Sequence, residues 1–336
     1  MNILLTSVGR RAYIIEYLKE IYKRLSICGN IIAANSDGLT TAMSAADRAF
    51  VSPLIYDDRY IPFLLDICER EKVDILLSLF DIDLPILARH KKDFEKLGVR
   101  VIVSNERVIN ICNDKYEMLK YLKKLNLHIP ETFLDLNEAL KYADFNNKSY
   151  ILKPRWGMGS LNIFEAENKE ELQVLYNKAV RNLKRSYLKF ESEANMDRAI
   201  LIQEKITGDE YGLDILNDLE CNYTFTTVKR KLAMRSGETD IAEVVKDEKL
   251  AVLGEEIGRR LGHIGNLDMD VLLKKDMPYI IDMNARFGGG YPFTHSAGVD
   301  ELEAIIRWSM GENDINLEVK KYELFAKVIN ITALRI

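Results

Sequence analysis

Two stretches in the carboxyl-terminal half of the chain decide the fold: GNLDMD at residues 265–270 and IIDMNARFGGG at residues 280–290. Each reads as a strand that ends in acids, and the second continues through an asparagine and an arginine into three glycines. Carboxylate and amide oxygens suit Mg²⁺, which binds with few carboxylates and with phosphate oxygens. An arginine can pair two phosphoryl oxygens, and glycine lets backbone approach a ligand closely. Together the two stretches predict a magnesium–nucleotide site.

The overall composition is that of a globular, acidic chain. Of 336 residues, 47% are hydrophobic and 29% are charged, and the net charge is −5. This length allows two or three domains, and the acidic balance argues against general nucleic-acid binding. No apolar run is long enough to span a membrane. The apolar run at residues 1–6 reaches Gly9 and two arginines at once, so it reads as a buried strand rather than a signal peptide.

The cysteines and histidines offer no metal or disulfide framework. The four cysteines lie far apart without a CxxC pair, which favours reduced thiols and predicts a cytoplasmic protein. The four histidines share no metal-ligand spacing. We therefore expect any metal to be held by oxygen ligands.

Alternation of strands and helices predicts an open, doubly wound parallel sheet in about the first hundred residues. The predicted strands are residues 2–6, 31–35, 49–51, 74–79 and 99–104, with helices at 11–25 and 61–71. The pattern then changes to one long helix at residues 108–125, a strand at 149–153 and antiparallel strands at 199–205, 210–215 and 223–228. Further predicted elements are helices at 170–188, 248–261 and 300–310 and a closing strand at 325–334.

Two lysines and a glycine loop are candidates for phosphate binding. Lys153 ends the strand before the loop, where a point charge can meet phosphates, whereas Lys115 lies on the predicted long helix. The loop residues Gly157, Gly159 and Ser160 offer backbone N–H groups and a hydroxyl. The loop matches neither a Walker A motif nor a dinucleotide fingerprint. Surface lysines and an ordinary hairpin turn are the alternatives at this point.

Asp268 and Asp282 are candidate metal ligands on neighbouring strands. They lie 14 residues apart, and Asp282 ends an apolar run, where an unpartnered carboxylate would be costly. Asp270 shares the face of Asp268 under period-two alternation and is a second candidate. A structural ion pair is the alternative. A separate strand–turn–strand at residues 202–211 could read an adenine edge through its backbone, with Glu210 accepting ribose hydroxyls, although a charged hairpin would look similar.

Taken in order, these pieces resemble the ATP-grasp superfamily, and within it stand-alone proteins similar to the large chain of carbamoyl phosphate synthase. The resemblance implies an α/β fold with a Rossmann-like open parallel-sheet domain (the pre-ATP-grasp domain), followed by a two-lobed ATP-grasp fold. The implied domains are residues 1–107 for the first, 108–312 for the second, and a tail at 313–336 with the closing strand. The small lobe would cover about residues 127–207 and the large lobe about 208–312.

The resemblance also implies a role for each matching residue. Family members bind ATP phosphates with two lysines, close a glycine loop over them, read adenine at a hinge and ribose with a glutamate, and hold Mg²⁺ between two acids and an asparagine. Here the ATP-binding residues would be Lys115, Lys153, Gly157, Gly159, Ser160, Gln203, Glu204, Lys205, Ile206 and Glu210. The metal ligands would be Asp268, Asp282 and Asn284, and Arg286 would act with Lys153 and Asn284 on the transferring phosphoryl group. Family members usually carry longer side chains at the positions of Asp268 and Asp282. Because aspartate is one methylene shorter than glutamate, we expect the metals to lie closer to the backbone or to bind through water.

The implied activity is that of an ATP- and Mg²⁺-dependent, ADP-forming ligase. Such enzymes activate a carboxylate as an acyl phosphate and join it to an amine or ammonia, so we expect small-molecule substrates. Arg235, Gly289, Gly290 and Arg10 are the candidate substrate residues. The alternatives are a solvated loop for Arg235 and a cap of the domain interface for Arg10. The alternatives are phosphorylation of bicarbonate or carbamate and a non-catalytic nucleotide-binding module. An oxidoreductase is excluded because the turn after the first strand is not a dinucleotide fingerprint. A homodimer is expected because family members are often dimers.

Overall fold

The N-terminal part of the chain forms an open parallel sheet. The computed structural model describes residues 1–159, 161–235 and 237–334. The strands of this sheet are β1 (Ile3–Thr6), β2 (Ile31–Asn35), β3 (Arg48–Val51), β4 (Ile75–Ser78) and β5 (Arg100–Ile102). The helices among them are α1 (Ala12–Arg24), α2 (Thr41–Ala45), α3 (Tyr60–Arg70) and α4 (Asp83–Glu95). The strand order is β3-β2-β1-β4-β5, and all pairs are parallel. The carboxyl ends of β1 and β4 lie where the order reverses, the position at which open α/β sheets form a ligand crevice.

The single helix predicted over residues 108–125 is wrong. The chain forms two helices there, α5 (Glu106–Asn113) and α6 (Lys115–Lys124). Asp114 between them is extended, and its side chain accepts hydrogen bonds from the first N–H groups of α6, as an N-cap does. Its carboxylate also accepts two hydrogen bonds of 2.7 Å from Arg155. The break turns Lys115 inward, where it is 6% exposed.

An antiparallel sheet with helices on it forms a small lobe in the middle of the chain. Its strand order is β6-β9-β7-β8. The strands are β6 (Thr132–Phe133), β7 (Tyr150–Pro154), β8 (Phe164–Ala166) and β9 (Ile200–Glu204). The helices are α7 (Leu136–Tyr142), α8 (Lys169–Arg185) and α9 (Lys189–Ser192), with a 3₁₀ turn at Glu193–Arg198. The glycine loop connects β7 to β8 and therefore projects from one end of this lobe.

A larger antiparallel sheet carries the acidic strands. Its order is β14-β13-β10-β11-β12-β15. The strands are β10 (Asp209–Asn217), β11 (Tyr223–Arg235), β12 (Glu238–Val244), β13 (Gly265–Lys274), β14 (Met277–Asn284) and β15 (Leu324–Ala326). The helices are α10 (Glu248–Leu261), α11 (Tyr291–Ser296) and α12 (Glu301–Ser309). β14 is an edge strand of this sheet and β13 is its neighbour, so the acids of these two strands lie side by side.

Two segments of the large sheet differ from their predicted form. The strand predicted at residues 223–228 is longer: β11 runs on through a basic stretch to Arg235 and forms a hairpin with β12. Its lysines are tolerated in a strand because Lys229 pairs with Asp214 of the neighbouring β10, and Lys231 pairs with Asp270 of β13, one strand further on. The closing strand predicted at residues 325–334 is shorter and begins earlier, since only Leu324–Ala326 pair with β12. Beyond that pairing, Ile331 is fully exposed.

The apolar cores join the N-terminal sheet to the large sheet and keep the small lobe apart. One core packs Leu4 and Ile32 of the first sheet into the same cluster as Leu267 and Met269 of β13. A separate core, around Tyr150, belongs to the small lobe alone. The N-terminal sheet and the large sheet therefore share one apolar core, whereas the small lobe has a core of its own. The exact domain boundaries stay predictions.

No helix in the described ranges combines the length and the apolarity that crossing a bilayer requires.

Candidate active site

A cleft of about 890 Å³ opens where the three sheets meet. It is bounded by the loops after β1 and β4, the start of α6, the glycine loop, the β11–β12 hairpin and the facing strands β13 and β14. The lining includes most of the predicted site residues: Arg10, Lys115, Lys153, Gly157, Gly159, Glu210, Asp268, Asp282, Asn284, Arg286, Gly289 and Gly290. Ser160, also predicted for this site, lies outside the described residues.

The register of β13 against β14 assembles the acidic residues on one face. Asp268 lies opposite Asn284, and Asp270 lies opposite Asp282. Because alternate residues of a strand point to the same side, all four side chains project into the cleft. A register shift follows directly after this quartet, between Asp270 and Val271. The alternation seen in the sequence thus predicts the juxtaposition.

Arg286 lies at the centre of a buried charge cluster. It donates to Asp81 at 2.8 Å and to Asp268 at 3.1 Å. Burial opposes the charge of Arg286, but these two carboxylates raise its pKa above the ordinary value. Asp81, at the carboxyl end of β4, was missed in the sequence. The signal that identified Asp282, an acid after a buried apolar strand, is also present at Asp81.

The two predicted phosphate-binding lysines lie close together but differ in their partners. Lys115 forms a 2.6 Å salt bridge with Asp282. Lys153 Nζ donates to the Ile281 carbonyl at 3.3 Å, and no carboxylate of a described residue lies within 4.0 Å of it. Burial, helped by the neighbouring charge of Lys115, lowers the pKa of Lys153 to about 8. A buried ammonium that forms no ion pair with a described carboxylate is a ready site for an anion.

Lys231 on β11 is a further cation of the cleft that the sequence did not single out. It pairs with Asp270 at 2.6 Å and with Glu210 at 3.0 Å. Although burial opposes its charge, these carboxylates raise the pKa of Lys231 above the ordinary range. Gly212 leaves room for it, since a Cβ there would lie 3.1 Å from Lys231 Cε. Glu210, the predicted ribose ligand, therefore lines the cleft with a lysine bound to it.

The acids of this face fit a magnesium ion that shares phosphate oxygens. Burial and the neighbouring Asp268 and Asp282 raise the pKa of Asp270 to about 6, even though Lys231 lowers it. The register places Asp268, Asp270 and Asp282 together on this face, and a divalent cation would relieve the repulsion between them. The described residues contain no preformed cluster of three or more His, Cys, Asp or Glu ligands. Mg²⁺ bound to a nucleotide needs only one or two carboxylates, so Asp268, Asp282 and Asn284 suit it as a small set.

The predicted adenine hinge does not line the cleft among the residues that the structure describes. The Gln203 side chain donates to Thr132 at 3.0 Å inside the small lobe. Glu204 pairs with lysines at 3.2 and 3.7 Å, and Lys205 pairs with Glu165 at 2.7 Å. Ile206 is buried. The side chains at residues 203–206 thus hold sheets and lobes together, and any adenine contact there would depend on backbone atoms.

The glycine loop reaches across the mouth of the cleft to the large sheet. A Cβ on Gly237 of the β11–β12 hairpin would lie 2.5 Å from the Gly159 carbonyl oxygen. Gly159 itself has a φ of +59°, which favours glycine. On another side of the small lobe, the Phe190 ring stacks on Tyr56 with centroids 4.4 Å apart. The small lobe therefore contacts the β11–β12 hairpin and the loop after β3.

Three of the four predicted substrate residues face the cleft, and one does not. Gly289 and Gly290 form its floor beside β12 and β11, and Arg10 is exposed at its N-terminal edge. Arg235, in contrast, pairs with Asp240 and is not among the described residues that line the cleft. Next to Arg10, Arg11 donates to the Phe287 carbonyl, which ties the glycine-rich turn to the N-terminal sheet.

Comparison with known proteins identifies the family. The ATP-grasp domain model matches residues 112–290, and the model for a PylC-like N-terminal domain matches residues 3–102. The first match covers more than half of the chain, so this protein belongs to the ATP-grasp family, as the motif order predicts.

Curated relatives are large chains of carbamoyl phosphate synthase. The one from Pseudothermotoga lettingae is 21% identical over 278 residues, which cover 80% of this chain and 23% of the relative. That from Helicobacter pylori is 22% identical over 312 residues, covering 90% of this chain and 27% of the relative. This chain thus spans about a quarter of the length of the relatives it matches.

Solved structures confirm the fold. A biotin carboxylase complex from Campylobacter jejuni superimposes with a TM-score of 0.72 at 18% identity, over 95% of this chain and 72% of the other. An L-amino acid ligase from Bacillus licheniformis gives 0.70 at 18%, over 92% and 75%. N5-carboxyaminoimidazole synthetase from Staphylococcus aureus, in complex with ADP, gives 0.67 at 14%, over 95% and 80%. At these identities the likeness concerns the fold, and the predicted fold class is confirmed.

Proposed function

We propose that this protein is an ATP- and Mg²⁺-dependent, ADP-forming ligase that activates a carboxylate as an acyl phosphate and joins it to an amine or ammonia. The observation that carries the proposal is the convergence of Arg286, two buried lysines and the Asp268–Asn284 and Asp270–Asp282 pairs in one cleft. Ligases of this kind in the same fold family include the L-amino acid ligase compared above. The residues named from the sequence that line this cleft keep their proposed roles.

The chain's cations would hold the polyphosphate of ATP. Lys153 has a depressed pKa and no carboxylate partner among the described residues, so a phosphate oxygen would supply the missing counter-charge. Lys115 would exchange Asp282 for a phosphate oxygen, which frees that carboxylate for the metal. The Mg²⁺ ion would supply charge neutralisation at the phosphoryl oxygens through Asp268, Asp282 and Asn284.

Arg286 would act on the transferring phosphoryl group. It is buried and already held by two carboxylates, so its donors are fixed before substrate arrives, which is the condition for electrostatic stabilisation without reorganisation. A carboxylate oxygen attacks the γ-phosphorus and ADP leaves. The amine then attacks the acyl carbon, phosphate departs, and the nitrogen loses a proton. The chain needs no covalent nucleophile for either step.

A second candidate is phosphorylation of bicarbonate or carbamate. The observation that favours it is the similarity to carbamoyl phosphate synthase large chains over 80–90% of this chain. Bicarbonate is itself a carboxylate-like oxygen nucleophile, so the same cleft would serve. The two candidates differ in whether an organic acid is required.

The test is phosphate release from ATP and Mg²⁺ across single carboxylic acids, each with and without amines and ammonia. Release that needs both an organic acid and an amine supports the ligase. Release with bicarbonate alone favours the second candidate. ATP binding without release under every condition would indicate a nucleotide-binding module and contradict the proposal. The cytoplasmic setting and the homodimer stay predictions, the latter to be measured by light scattering.

A further inference from the structure

One carboxylate of the cleft lies apart from the proposed metal ligands of β13 and β14. Glu238 is the first residue of β12, and it lines the end of the cleft formed by the N-terminal sheet and the glycine-rich turn. A Cβ on Gly289 would lie 3.0 Å from Glu238 Cδ, whereas one on Gly288 would lie 2.1 Å from Asp268 Cγ. Gly288 thus lies against Asp268, which pairs with Arg286, and the next residue, Gly289, lies against Glu238.

Glu238 already holds an ammonium group in this structure. Lys327, just after β15, donates to Glu238 Oε2 at 3.2 Å, and its Nζ lies 5.9 Å from the centre of the Phe293 ring. The Lys327 backbone N–H donates to the Asp240 carbonyl at 2.9 Å, which fixes the lysine on β12. Within the described ranges, Oε1 of Glu238 accepts no hydrogen bond, so one oxygen remains for a second donor.

The Glu238 side chain is suited to bind a cationic group of the substrate rather than to act as a general base. Burial opposes ionisation, yet Lys327 and Arg11 hold the pKa of Glu238 below its ordinary value. A carboxylate with a lowered pKa is a weak proton acceptor at neutral pH. It is well suited, however, to bind a group that stays positively charged.

We propose that the acid activated in this cleft is an amino acid, whose ammonium group binds Glu238 while its carboxylate lies at Arg286. This inference rests on the proposed ligase function and names its substrate class. The ammonium bound by Glu238 belongs to the activated acid and not to the attacking amine, because the two groups react differently. A nucleophilic amine must lose its proton, and a carboxylate that stabilises the ammonium form would oppose that loss. On the activated acid the ammonium takes no part in the reaction, so Glu238 can hold it throughout.

The experiment separates activation of the acid from the choice of amine by using hydroxylamine as a small, largely uncharged nucleophile. Its nitrogen attacks the acyl phosphate carbon, phosphate leaves, and a coloured hydroxamate–iron complex reports the product. Each standard amino acid is compared with the analogue that carries hydrogen in place of the ammonium group. The variants are Glu238→Gln and, as matched control, Glu243→Gln, which removes the same charge from the same strand but is not a lining residue of the cleft.

We expect the wild-type protein to prefer one or more amino acids over their deaminated analogues by at least about tenfold in kcat/KM. Glu238→Gln should reduce that ratio to near one, mainly through the KM of the amino acid, and Glu243→Gln should keep it. Equal use of both acids by the wild type, or an unchanged ratio in Glu238→Gln, would overturn the inference while leaving the ligase function standing.

Binding of the same amino acids to the complex with Mg²⁺ and a non-hydrolysable ATP analogue, measured by calorimetry, provides a readout without turnover. Affinity that falls about tenfold in Glu238→Gln supports the subsite even if no hydroxamate forms, a combination that would refute only the proposed ligase chemistry. Amino acid affinity that is equal in the two proteins, or binding to neither, overturns the subsite.

Discussion

Replacing Lys153 by methionine should stabilise the empty protein and weaken its binding of ATP. Burial lowers the pKa of this lysine from 10.5 to about 8, and each pKa unit corresponds to about 1.4 kcal/mol. The charged side chain therefore costs up to about 3 kcal/mol of folding stability at neutral pH. Because the folded-state pKa is the lower one, this cost is fully present below about pH 8 and disappears as the pH rises through 10.5.

The same substitution removes a charge-assisted contact to the polyphosphate. Such contacts contribute about 1.5–3 kcal/mol, so the affinity for a non-hydrolysable ATP analogue should fall about 10- to 100-fold. Urea unfolding at pH 7 and pH 9.5, together with calorimetry, measures both effects. Lys120→Met on the exposed face of α6 is the control, since Lys120 pairs with Glu117 at the surface, and it should change neither quantity by much.

A lower free energy of unfolding at pH 7, or an unchanged ATP affinity, in Lys153→Met would contradict this prediction. The first result would mean that the ammonium is compensated within the empty protein. The second would remove Lys153 from the nucleotide site.

Three further outcomes are expected. Asp282→Asn should lower Mg²⁺-dependent turnover by on the order of 100-fold or more with a modest loss of stability, because the buried Lys115 loses its charged partner. Asp276→Asn in the exposed β13–β14 turn should match the wild type; normal turnover in the Asp282 variant would disprove the metal assignment. Arg286→Lys should lower kcat by on the order of 100-fold with a smaller effect on KM for ATP, because a lysine cannot replace the fixed planar fork; a change confined to KM would count against a role in phosphoryl transfer. Arg155→Met should cost about 3 kcal/mol in urea unfolding, since it leaves the Asp114 carboxylate buried without its partner; a loss below about 1 kcal/mol would show that capping of α6 alone holds this carboxylate.

The sequence pattern predicted those helices and strands that depend on residues close together in the chain. The apolar runs of the first sheet and the helix over 248–261 follow from periodicity within a few residues. The helix over 108–125 was wrong because its break depends on Asp114 meeting Arg155, which lies 41 residues away. Periodicity alone continues straight through such a position, since the apolar stripe itself is uninterrupted.

The residues of the candidate site also divide into those that nearby sequence reveals and those that depend on distant contacts. Asp268, Asp282 and Asn284 could be found because they lie on two strands joined by a short hairpin, and Arg286 because it follows two residues after the second strand. Lys231 was overlooked as one charge among several in a basic stretch. Its burial depends on the Asp270 carboxylate of a strand that is not its neighbour.

The sequence by itself determined the parallel sheet, the paired acidic strands and the order of motifs that places the chain in the ATP-grasp family, because strand alternation and short connections encode these locally. Only the tertiary structure decided which charges meet. It brought Asp81 of the first domain to Arg286 and the tail residue Lys327 to Glu238. Contacts between segments so distant in the chain are fixed by how the sheets pack against one another, and no spacing in the sequence encodes that packing.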